Sequence, residues 1–279
     1  MNNSIYPCLT IKGKIAEAAD FYLDTFGDGA ITTSNPIVIT LNLSGQQFML
    51  LNDGPSSTPN PSISFMVLCE NEQETEAYYL KLITGGSALM PLDTYPWSSK
   101  YAWVQDKFGI SWQLYTGGKN DMNQKFCPTL MFTGTNAGKA EEALHFYTGL
   151  FPENDIQGIL KYNEGEDNTN YVKHAQFKIK NFVAMAMDSS AEHGFGFVDA
   201  ISLVVNCKDQ AEIDKYWDGL IANGGHEVAC GWLVDKYGIS WQIVPDKLGE
   251  WMKNPGKFQH VMGALMKMKK LIYTELENA

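Results

Sequence analysis

Apolar side chains recur along the second half of the chain with two spacings that alternate. Between residues 137 and 150 they recur every three or four positions, the spacing of an amphipathic helix. Between residues 172 and 179 they recur at every second position, the spacing of a strand with one buried face. The whole pattern predicts strands and helices at 129–133, 137–150, 172–179, 182–187, 200–206, 210–223, 231–234 and 240–244. The order of strand, helix and further strands, given twice, is interpreted as two βαβββ modules, with two of the three later strands of each marked by the pattern.

The two halves of the chain repeat one another. Residues 106–114 (DKFGISWQL) and 235–243 (DKYGISWQI) are identical at seven of nine positions. Shorter matches occur in the same order, for example ISFMVLC at 63–69 with ISLVVNC at 201–207. Repeats of this kind indicate repeated structural units, so the first half is expected to contain two βαβββ modules as well.

The repeat also predicts the domain organisation. One copy is predicted over 1–118 and the other over 126–248, with the polar, glycine-containing stretch 117–121 between them. A C-terminal helical tail is predicted over 249–279. Within it, apolar residues spaced by three and four positions over 255–276 predict a single docked helix.

Each copy carries an insertion that the other lacks, and such insertions often border pockets. About ten extra residues lie between Gly86 and Asp106 in the first copy, and about eleven lie before Phe177 in the second. The first copy also has four aromatic residues close together in and after its insertion: Tyr95, Trp97, Tyr101 and Trp103. They could stack on a flat ligand, cover the joint between the copies or contact a partner.

Charge and cysteine content argue against several classes of function. Lys and Arg number 21 against 32 Asp and Glu, a formal charge of −11, which disfavours nucleic acids and anionic membranes as partners. There is no apolar run long enough for a transmembrane helix and no secretion-signal pattern at the N-terminus, so a cytoplasmic protein is expected. The five cysteines form no CxxC pair, which argues against a disulfide framework and a thiolate zinc site.

Three segments carry a family resemblance: residues 140–147 (AEEALHFY), 230–245 (CGWLVDKYGISWQIVP) and 266–270 (MKMKK). They resemble the PhnB-like branch of the vicinal oxygen chelate superfamily, which includes glyoxalase, bleomycin-resistance proteins and extradiol dioxygenases. That branch is often described as a 3-demethylubiquinone-9 3-methyltransferase domain. The resemblance implies an α+β fold with tandem vicinal-oxygen-chelate domains. Each domain would contain two βαβββ modules that form a curled mixed sheet, a half-open barrel.

The resemblance also implies where a metal would be held, because metal-dependent members take ligands from the first, fifth and last strands of a domain. The matching positions are Cys127, Ser202 and Gln242 in the second copy and Tyr6, Ser64 and Gln113 in the first. A serine hydroxyl is a poor ligand for iron, zinc or nickel, and a glutamine carbonyl lacks the charge of a glutamate. We therefore expect no metal and no other cofactor. Methyl transfer is not expected either, since no early strand is followed by a Gly-rich turn.

The cup of each half-open barrel is the expected ligand site, lined by the six positions above. Gln242 is expected to point inward and could orient an amide, carbonyl or hydroxyl group, or it could pair with neighbouring backbone in a filled core. Cys230 and Trp232 are expected on one face of the adjacent strand, as pocket wall or as core.

Asp188 and His193 are the candidate catalytic residues. Asp188 ends an apolar strand, where its carboxylate could accept a proton at the mouth of the cup or cap the following turn. His193 lies in the loop after Asp188 and could reach the pocket rim. His174 alternates with apolar residues along its strand, opposite in direction to Phe177, and is expected on an exposed face.

These observations favour a metal-independent small-molecule-binding protein. An enzyme remains open, such as a lyase, an isomerase or a dioxygenase-like protein with atypical ligands. A structural or interaction protein with filled barrels also remains open. Two domains in one chain imitate a homodimer, so we expect either a monomer with an internal pseudo-dimer or a homodimer. Neither nucleic acid nor membrane is expected as a partner.

Overall fold

The structure is a computed structural model that describes residues 4–52, 54, 57–117 and 124–279. Within these residues the elements follow the order βαβββ four times, which confirms the predicted α+β class and the predicted modules. Of the stretch predicted to join the two copies, 118–121 lies outside the described residues.

The four modules have the following elements. The first contains β1 (Ile5–Thr10), α1 (Ile15–Phe26), β2 (Gly29–Ser34), β3 (Val38–Leu43) and β4 (Gln46–Leu51). The second contains β5 (Ile63–Cys69), α2 (Glu72–Leu82), β6 (Ser87–Tyr95), β7 (Ser98–Gln105) and β8 (Ser111–Thr116). The third contains β9 (Phe126–Phe132), α3 (Ala140–Leu150), β10 (Asp155–Lys161), β11 (Val172–Ile179) and β12 (Phe182–Asp188). The fourth contains β13 (Ile201–Cys207), α4 (Gln210–Ile221), β14 (His226–Glu227), β15 (Trp232–Val234) and β16 (Ser240–Pro245).

The described chain forms two compact units. The first unit spans Pro7–Ile201, and the second combines Ser202–Ala279 with residues 4–6 at the start of the chain. The first unit therefore holds nearly all of three modules, and the second holds the fourth. This division of the chain in space differs from its division into two sequence copies.

In the first unit, the second and third modules share one eight-stranded mixed sheet. Its strand order is β10-β11-β12-β9-β5-β8-β7-β6. The two modules join at the antiparallel pair β5–β9, in which Ser64 lies opposite Thr129 and Met66 opposite Cys127. On either side of this pair, β5 runs parallel to β8 and β9 runs parallel to β12. A module of the first sequence copy is thus completed by a module of the second copy.

The second unit is built on the strand order β14-β15-β16-β13. The parallel pair β13–β16 places Val204 opposite Gln242, and the antiparallel pair β15–β16 places Trp232 opposite Gln242 as well. The start of the chain adds to this unit, because the backbone N–H of Asn206 donates a 2.9 Å hydrogen bond to the carbonyl of Ser4.

The aspartate and the tryptophan that the two nine-residue repeats share have a structural role. In the first repeat, Asp106 Oδ1 accepts hydrogen bonds from the backbone N–H groups of Phe108 and Ile110, and Asp106 Oδ2 accepts one from Trp112 Nε1 at 2.8 Å. In the second repeat, Asp235 makes the same three bonds to Tyr237, Ile239 and Trp241. The aspartate closes the turn before the last strand of a module and anchors the tryptophan of that strand.

The helices bury the apolar stripes that their spacing predicts. In α3, the buried side chains are those of Ala140, Ala143, Leu144 and Tyr147. The helices α2 and α4 begin with equivalent caps, since Asn71 accepts a hydrogen bond from the N–H of Glu74 and Asp209 accepts one from the N–H of Glu212, both at 2.9 Å. Each cap satisfies a backbone donor that the first helical turn leaves without a partner.

The C-terminal tail differs from the prediction of one helix over 255–276. It contains three short helices, α5 (Leu248–Lys253), α6 (Phe258–Leu265) and α7 (Tyr273–Glu277). Between α6 and α7 the chain leaves the helical path, because the carbonyls of Met268 and Lys269 accept hydrogen bonds from the N–H groups of Cys230 and Gly231. A helix cannot continue where its carbonyls bond outside the helix. Among the helices of the described residues, none has both the length and the apolar content needed to cross a bilayer.

Candidate functional site

A cavity of about 580 Å³ lies within the first unit, on the sheet that the second and third modules share. Among the described residues, the aromatic side chains that line it are those of Trp97, Tyr101, Trp103, Tyr115 and Tyr162. Methionines complete much of the wall: Met66, Met90, Met185 and Met187. The polar and charged side chains are those of Gln113, Thr129, Lys173, His174 and Gln176. The wall is therefore mainly apolar, with a few polar groups.

The alternation of side chains along the strands explains how these residues reach one cavity. Five of the contributing strands supply residues two positions apart: Met66 and Leu68 on β5, Tyr101 and Trp103 on β7, Gln113 and Tyr115 on β8, His174 and Gln176 on β11, and Met185 and Met187 on β12. The intervening residues point to the opposite face of the sheet, where helices cover them. The cavity therefore depends on strands from both modules.

Gln113 is held on the cavity wall by two hydrogen bonds. Its Nε2 donates to Ser64 Oγ at 2.8 Å, and its Oε1 accepts from the hydroxyl of Tyr101 at 2.7 Å. Burial raises the pKa of the Tyr101 hydroxyl, so this group stays protonated and remains a donor. These two bonds fix which end of the Gln113 amide faces each neighbour.

Two other polar groups of the cavity lack a protein partner among the described residues. Thr129 is 1% exposed, and its Oγ1 is buried without a hydrogen bond. The ring of His174 makes no hydrogen bond to the described residues either, and burial lowers the pKa of this imidazole. The Thr129 Oγ1 has almost no accessible surface, so a molecule in the cavity does not reach it. His174 is half-buried, so its ring can bond to water or to a ligand.

Lys173 supplies a positive charge to the wall, but this charge is already paired. Its Nζ lies 2.6 Å from Glu166 Oε1 and 5.9 Å from the centre of the Tyr162 ring. The side chains of Lys173 and Glu166 are about one-third exposed, so the ion pair lies at the rim rather than inside the cavity.

The structure groups the six expected ligand-site positions in a new way. Cys127 lies in the same sheet as Ser64 and Gln113, because β9 pairs with β5. Tyr6 belongs to the second unit, as do Ser202 and Gln242. Each first-strand residue, Cys127 or Tyr6, therefore lies with the fifth-strand and last-strand residues of the other sequence copy. Of the six positions, Gln113 is the one that lines the described cavity.

The remaining members of each group are buried and mostly bonded to one another. Gln242 Nε2 donates to Ser202 Oγ at 2.9 Å, which repeats the bond between Gln113 and Ser64. The Sγ of Cys127 is packed beside the Gln124 amide, and burial raises the pKa of its thiol to about 12. The Cys127 thiol is therefore protonated at neutral pH and is a poor nucleophile.

Cys230 does not share a strand face with Trp232, contrary to the prediction. The strand β15 begins at Trp232, and Cys230 precedes it with a positive φ of 60°. The backbone N–H of Cys230 bonds to the carbonyl of Met268, and its Sγ lies 3.8 Å from Met266 Sδ. Strand alternation therefore does not apply to Cys230. Trp232 is half-buried in the second unit.

Asp188 and His193, the candidate catalytic residues, both lie away from the lining of the described cavity. Asp188 is buried, and its carboxylate accepts hydrogen bonds from the backbone N–H groups of Gly138, Ala140 and Val172. Burial raises the pKa of this carboxyl, and the three N–H donors oppose the change. Its bonds tie the start of α3 to β11. His193 is exposed, and its Nε2 lies 2.8 Å from Ser189 Oγ.

Sequence analysis missed His174, Gln176 and Thr129 as cavity residues. It placed His174 on an exposed face because this residue alternates with the buried Phe177. The alternation is correct, but the second face of β11 borders the cavity rather than open solvent. The sequence did contain one signal of the cavity, the aromatic cluster of the first copy, since Trp97, Tyr101 and Trp103 all line it.

The donor set of the site does not fit a tightly bound transition metal. Among the residues described, no three His, Cys, Asp or Glu side chains cluster in a way that could hold a metal ion. Of the described cavity-lining residues, His174 is the one whose side chain commonly binds such metals.

The chain is similar to proteins of known family and structure. The family model described as 3-demethylubiquinone-9 3-methyltransferase matches residues 3–115 and again residues 124–244. The PhnB protein of Bacillus cereus is 34% identical over 40% of this chain and 98% of that chain, with a TM-score of 0.37. No functionally curated protein matches this chain.

Glyoxalase I from Zea mays is similar over a longer stretch. Its structure covers 90% of this chain and 95% of its own, at 12% identity and a TM-score of 0.59. A mutant of the same maize enzyme gives 13% identity, 88% and 95% coverage and a TM-score of 0.60. At these identities the similarity concerns the fold. The two family matches show that the chain belongs to the 3-demethylubiquinone-9 3-methyltransferase family, in two tandem copies.

Proposed function

We propose that this protein binds a small organic molecule, without a metal, in the cavity beside Gln113. The observation that supports this proposal is the cavity itself. Its volume of about 580 Å³ falls within the range of roughly 300–1,000 Å³ typical of small-molecule sites. Its wall also has the usual composition of such sites, with many apolar and aromatic side chains and few polar ones.

The hydrogen bonds of the wall support a preformed site. Tyr101, Gln113 and Ser64 form a chain of side chains from three strands, so the wall needs little reorganisation when a ligand enters. Aromatic and thioether side chains then contribute binding free energy as a ligand removes their surface from water. A preformed wall reduces the entropy cost of binding.

The chemistry of the wall supports the metal-independent part of the proposal. A ligand site for iron, zinc or nickel requires several imidazole, thiolate or carboxylate groups. Gln113 and Thr129 offer uncharged oxygen atoms, and the Gln113 Oε1 already accepts a hydrogen bond from Tyr101. His174 alone would provide a single strong donor, which is too few for tight binding.

The proposal does not include methyl transfer, although the family description names it. Binding of S-adenosylmethionine usually uses a Gly-rich turn directly after a strand. In this chain the pairs Gly85-Gly86 and Gly224-Gly225 each follow a helix, and Gly85 and Gly224 have positive φ values of 76° and 118°. These glycines therefore end helices.

Titration with Nile red, an uncharged apolar dye, tests the proposal. We expect a saturable rise in fluorescence with one dye per chain, and a loss of affinity of about tenfold or more in Met66→Trp, which fills the cavity. Leu80→Trp is the matched control, because it adds the same indole at a site on α2 that is 65% exposed and outside the cavity lining. Circular dichroism and thermal unfolding verify that both variants fold. Equal dye affinity in Met66→Trp and Leu80→Trp would overturn the proposal.

A further inference from the structure

The polar groups on the cavity wall fall into two classes, which indicates where a ligand would make hydrogen bonds. Gln113 has both ends of its amide engaged by Ser64 and Tyr101. The His174 ring is half-buried and has no protein partner among the described residues. A ligand that bonds to His174 gains a hydrogen bond without breaking one within the protein, whereas a ligand that bonds to Gln113 competes with existing bonds.

The charge of the wall indicates an uncharged ligand. Among the described lining residues, Lys173 is the one with a full charge at neutral pH, and it is paired with Glu166 at 2.6 Å. An anion in the cavity would have to displace Glu166, and a cation would meet no carboxylate on the wall. Burial of an unpaired ion costs several kcal/mol, roughly, even after the protein relaxes. An uncharged molecule avoids that cost.

The aromatic side chains indicate a flat ligand. The polar atoms of three rings are already bonded: Trp103 Nε1 donates to Ser111 Oγ at 2.8 Å, Tyr101 donates to Gln113, and Tyr162 donates to the carbonyl of Asp188 at 3.0 Å. These bonds fix the ring orientations and leave the carbon surfaces available. Such surfaces favour the stacked or edge-to-face contacts that planar aromatic molecules make.

We infer that the ligand is an uncharged, planar aromatic molecule with one hydrogen-bonding edge, and that this edge meets His174. This inference rests on the proposed function and specifies its ligand class. The environment of the imidazole agrees with it, because burial lowers the pKa of His174 and keeps the ring neutral at pH 7. A neutral imidazole has one donor and one acceptor nitrogen.

Four probes of similar size separate the features of this ligand class: 2-naphthol, naphthalene, 2-naphthoate and decahydro-2-naphthol. Isothermal titration at pH 7.5 measures their affinities for the full chain. We expect 2-naphthol to bind about tenfold more tightly than naphthalene, which lacks the polar edge. The same factor of about ten is expected over the anionic 2-naphthoate and over the non-planar decahydro-2-naphthol.

A variant tests the residue assigned to the polar edge. His174→Phe keeps a flat ring without nitrogen atoms and is expected to reduce the preference for 2-naphthol over naphthalene. His145→Phe, at an exposed position on α3, should keep the preference. Thr129→Val should keep it too, because the hydroxyl that it removes has almost no accessible surface. Retention of the full preference in His174→Phe would overturn the assignment of the edge.

The outcomes distinguish the ligand class from the proposed function. If Nile red binds in the cavity but 2-naphthoate or decahydro-2-naphthol binds as tightly as 2-naphthol, the ligand class is wrong and the binding function stands. The same conclusion follows if Nile red binds and none of the four probes does. If neither Nile red nor any probe binds, both proposals fail.

Discussion

The side-chain amide of Gln113 lies 2.8 Å from the hydroxyl of Ser64, and the two strands that carry them, β8 and β5, run parallel. Gln242 and Ser202 make the same contact at 2.9 Å on β16 and β13. In both places, two residues at positions where the family resemblance would put metal ligands form an uncharged hydrogen bond with each other instead. The pair therefore stabilises the sheet and, at Gln113, shapes a cavity wall.

Replacement of Gln113 by leucine should destabilise the protein. Gln113→Leu leaves the hydroxyls of Ser64 and Tyr101 buried without a partner, which costs about 1–3 kcal/mol in the free energy of unfolding. The double variant Gln113→Leu with Ser64→Ala should recover part of the loss, since one orphaned hydroxyl is removed. Urea unfolding followed by circular dichroism measures both values. A Gln113→Leu protein as stable as the parent would contradict this view of the pair.

Metal content tests the donor argument. We expect the purified protein to hold far less than one equivalent of iron, zinc or nickel by elemental analysis. Gln242→Glu should not raise the affinity for zinc or nickel in equilibrium dialysis, because the nearby Ser202 hydroxyl remains a weak ligand. Stoichiometric metal in the parent protein, or tight zinc binding by Gln242→Glu, would show that neighbouring residues complete a site.

The stability of the protein should fall as the pH decreases below about 6.5, in part because of His174. Burial lowers the pKa of the folded imidazole, so the unfolded chain takes up a proton at a higher pH than the folded protein does. The unfolded state then binds more protons in this interval, so the free energy of unfolding falls as the pH falls. His174→Gln should weaken this dependence, measured as the change in thermal midpoint. In His145→Gln, the exposed control on α3, the dependence should match that of the parent. An unchanged dependence in His174→Gln would contradict the prediction.

Two tryptophans at equivalent positions of the two units allow a test of which unit binds the ligand. Trp103 lies opposite Gln113 and lines the cavity, and Trp232 lies opposite Gln242 in the second unit. Trp103→Ala should weaken Nile red binding by about tenfold. Trp232→Ala should weaken it much less. A larger loss in Trp232→Ala would assign the binding site to the second unit.

Sequence analysis predicted the modules well because their signals are local. The apolar spacing of the helices, the glycine pairs after helices and the nine-residue repeats each depend on a few neighbouring residues. Asp106 illustrates this, since all three bonds shared with Asp235 are to residues within six positions of it. Contacts between residues so close in sequence produce a pattern that can be recognised in the sequence alone.

The pairing of modules could not be predicted in the same way. Cys127 was grouped with Ser202 and Gln242, whereas β9 pairs with β5 and places it opposite Met66, in the sheet that holds Ser64 and Gln113. The repeat gives all four modules the same strand and helix order, so it contains no information on which module edges join. That choice depends on contacts between residues far apart in sequence.

Two further errors also have physical causes. The alternation on β11 shows that His174 and Phe177 point to opposite faces, but alternation alone does not tell solvent from a cavity. In the tail, a spacing of three and four positions from Val261 to Leu276 suits one helix. The carbonyls of Met268 and Lys269 instead bond to the segment before β15.

The β5–β9 join has a consequence for how this chain can change over time. The wall of the cavity is encoded half in residues 63–116 and half in residues 126–188, one half from each duplicated copy. Neither copy by itself contains the whole wall of the cavity. A substitution in either copy therefore alters a cavity that the other copy also forms, so the two copies cannot diverge independently at this place.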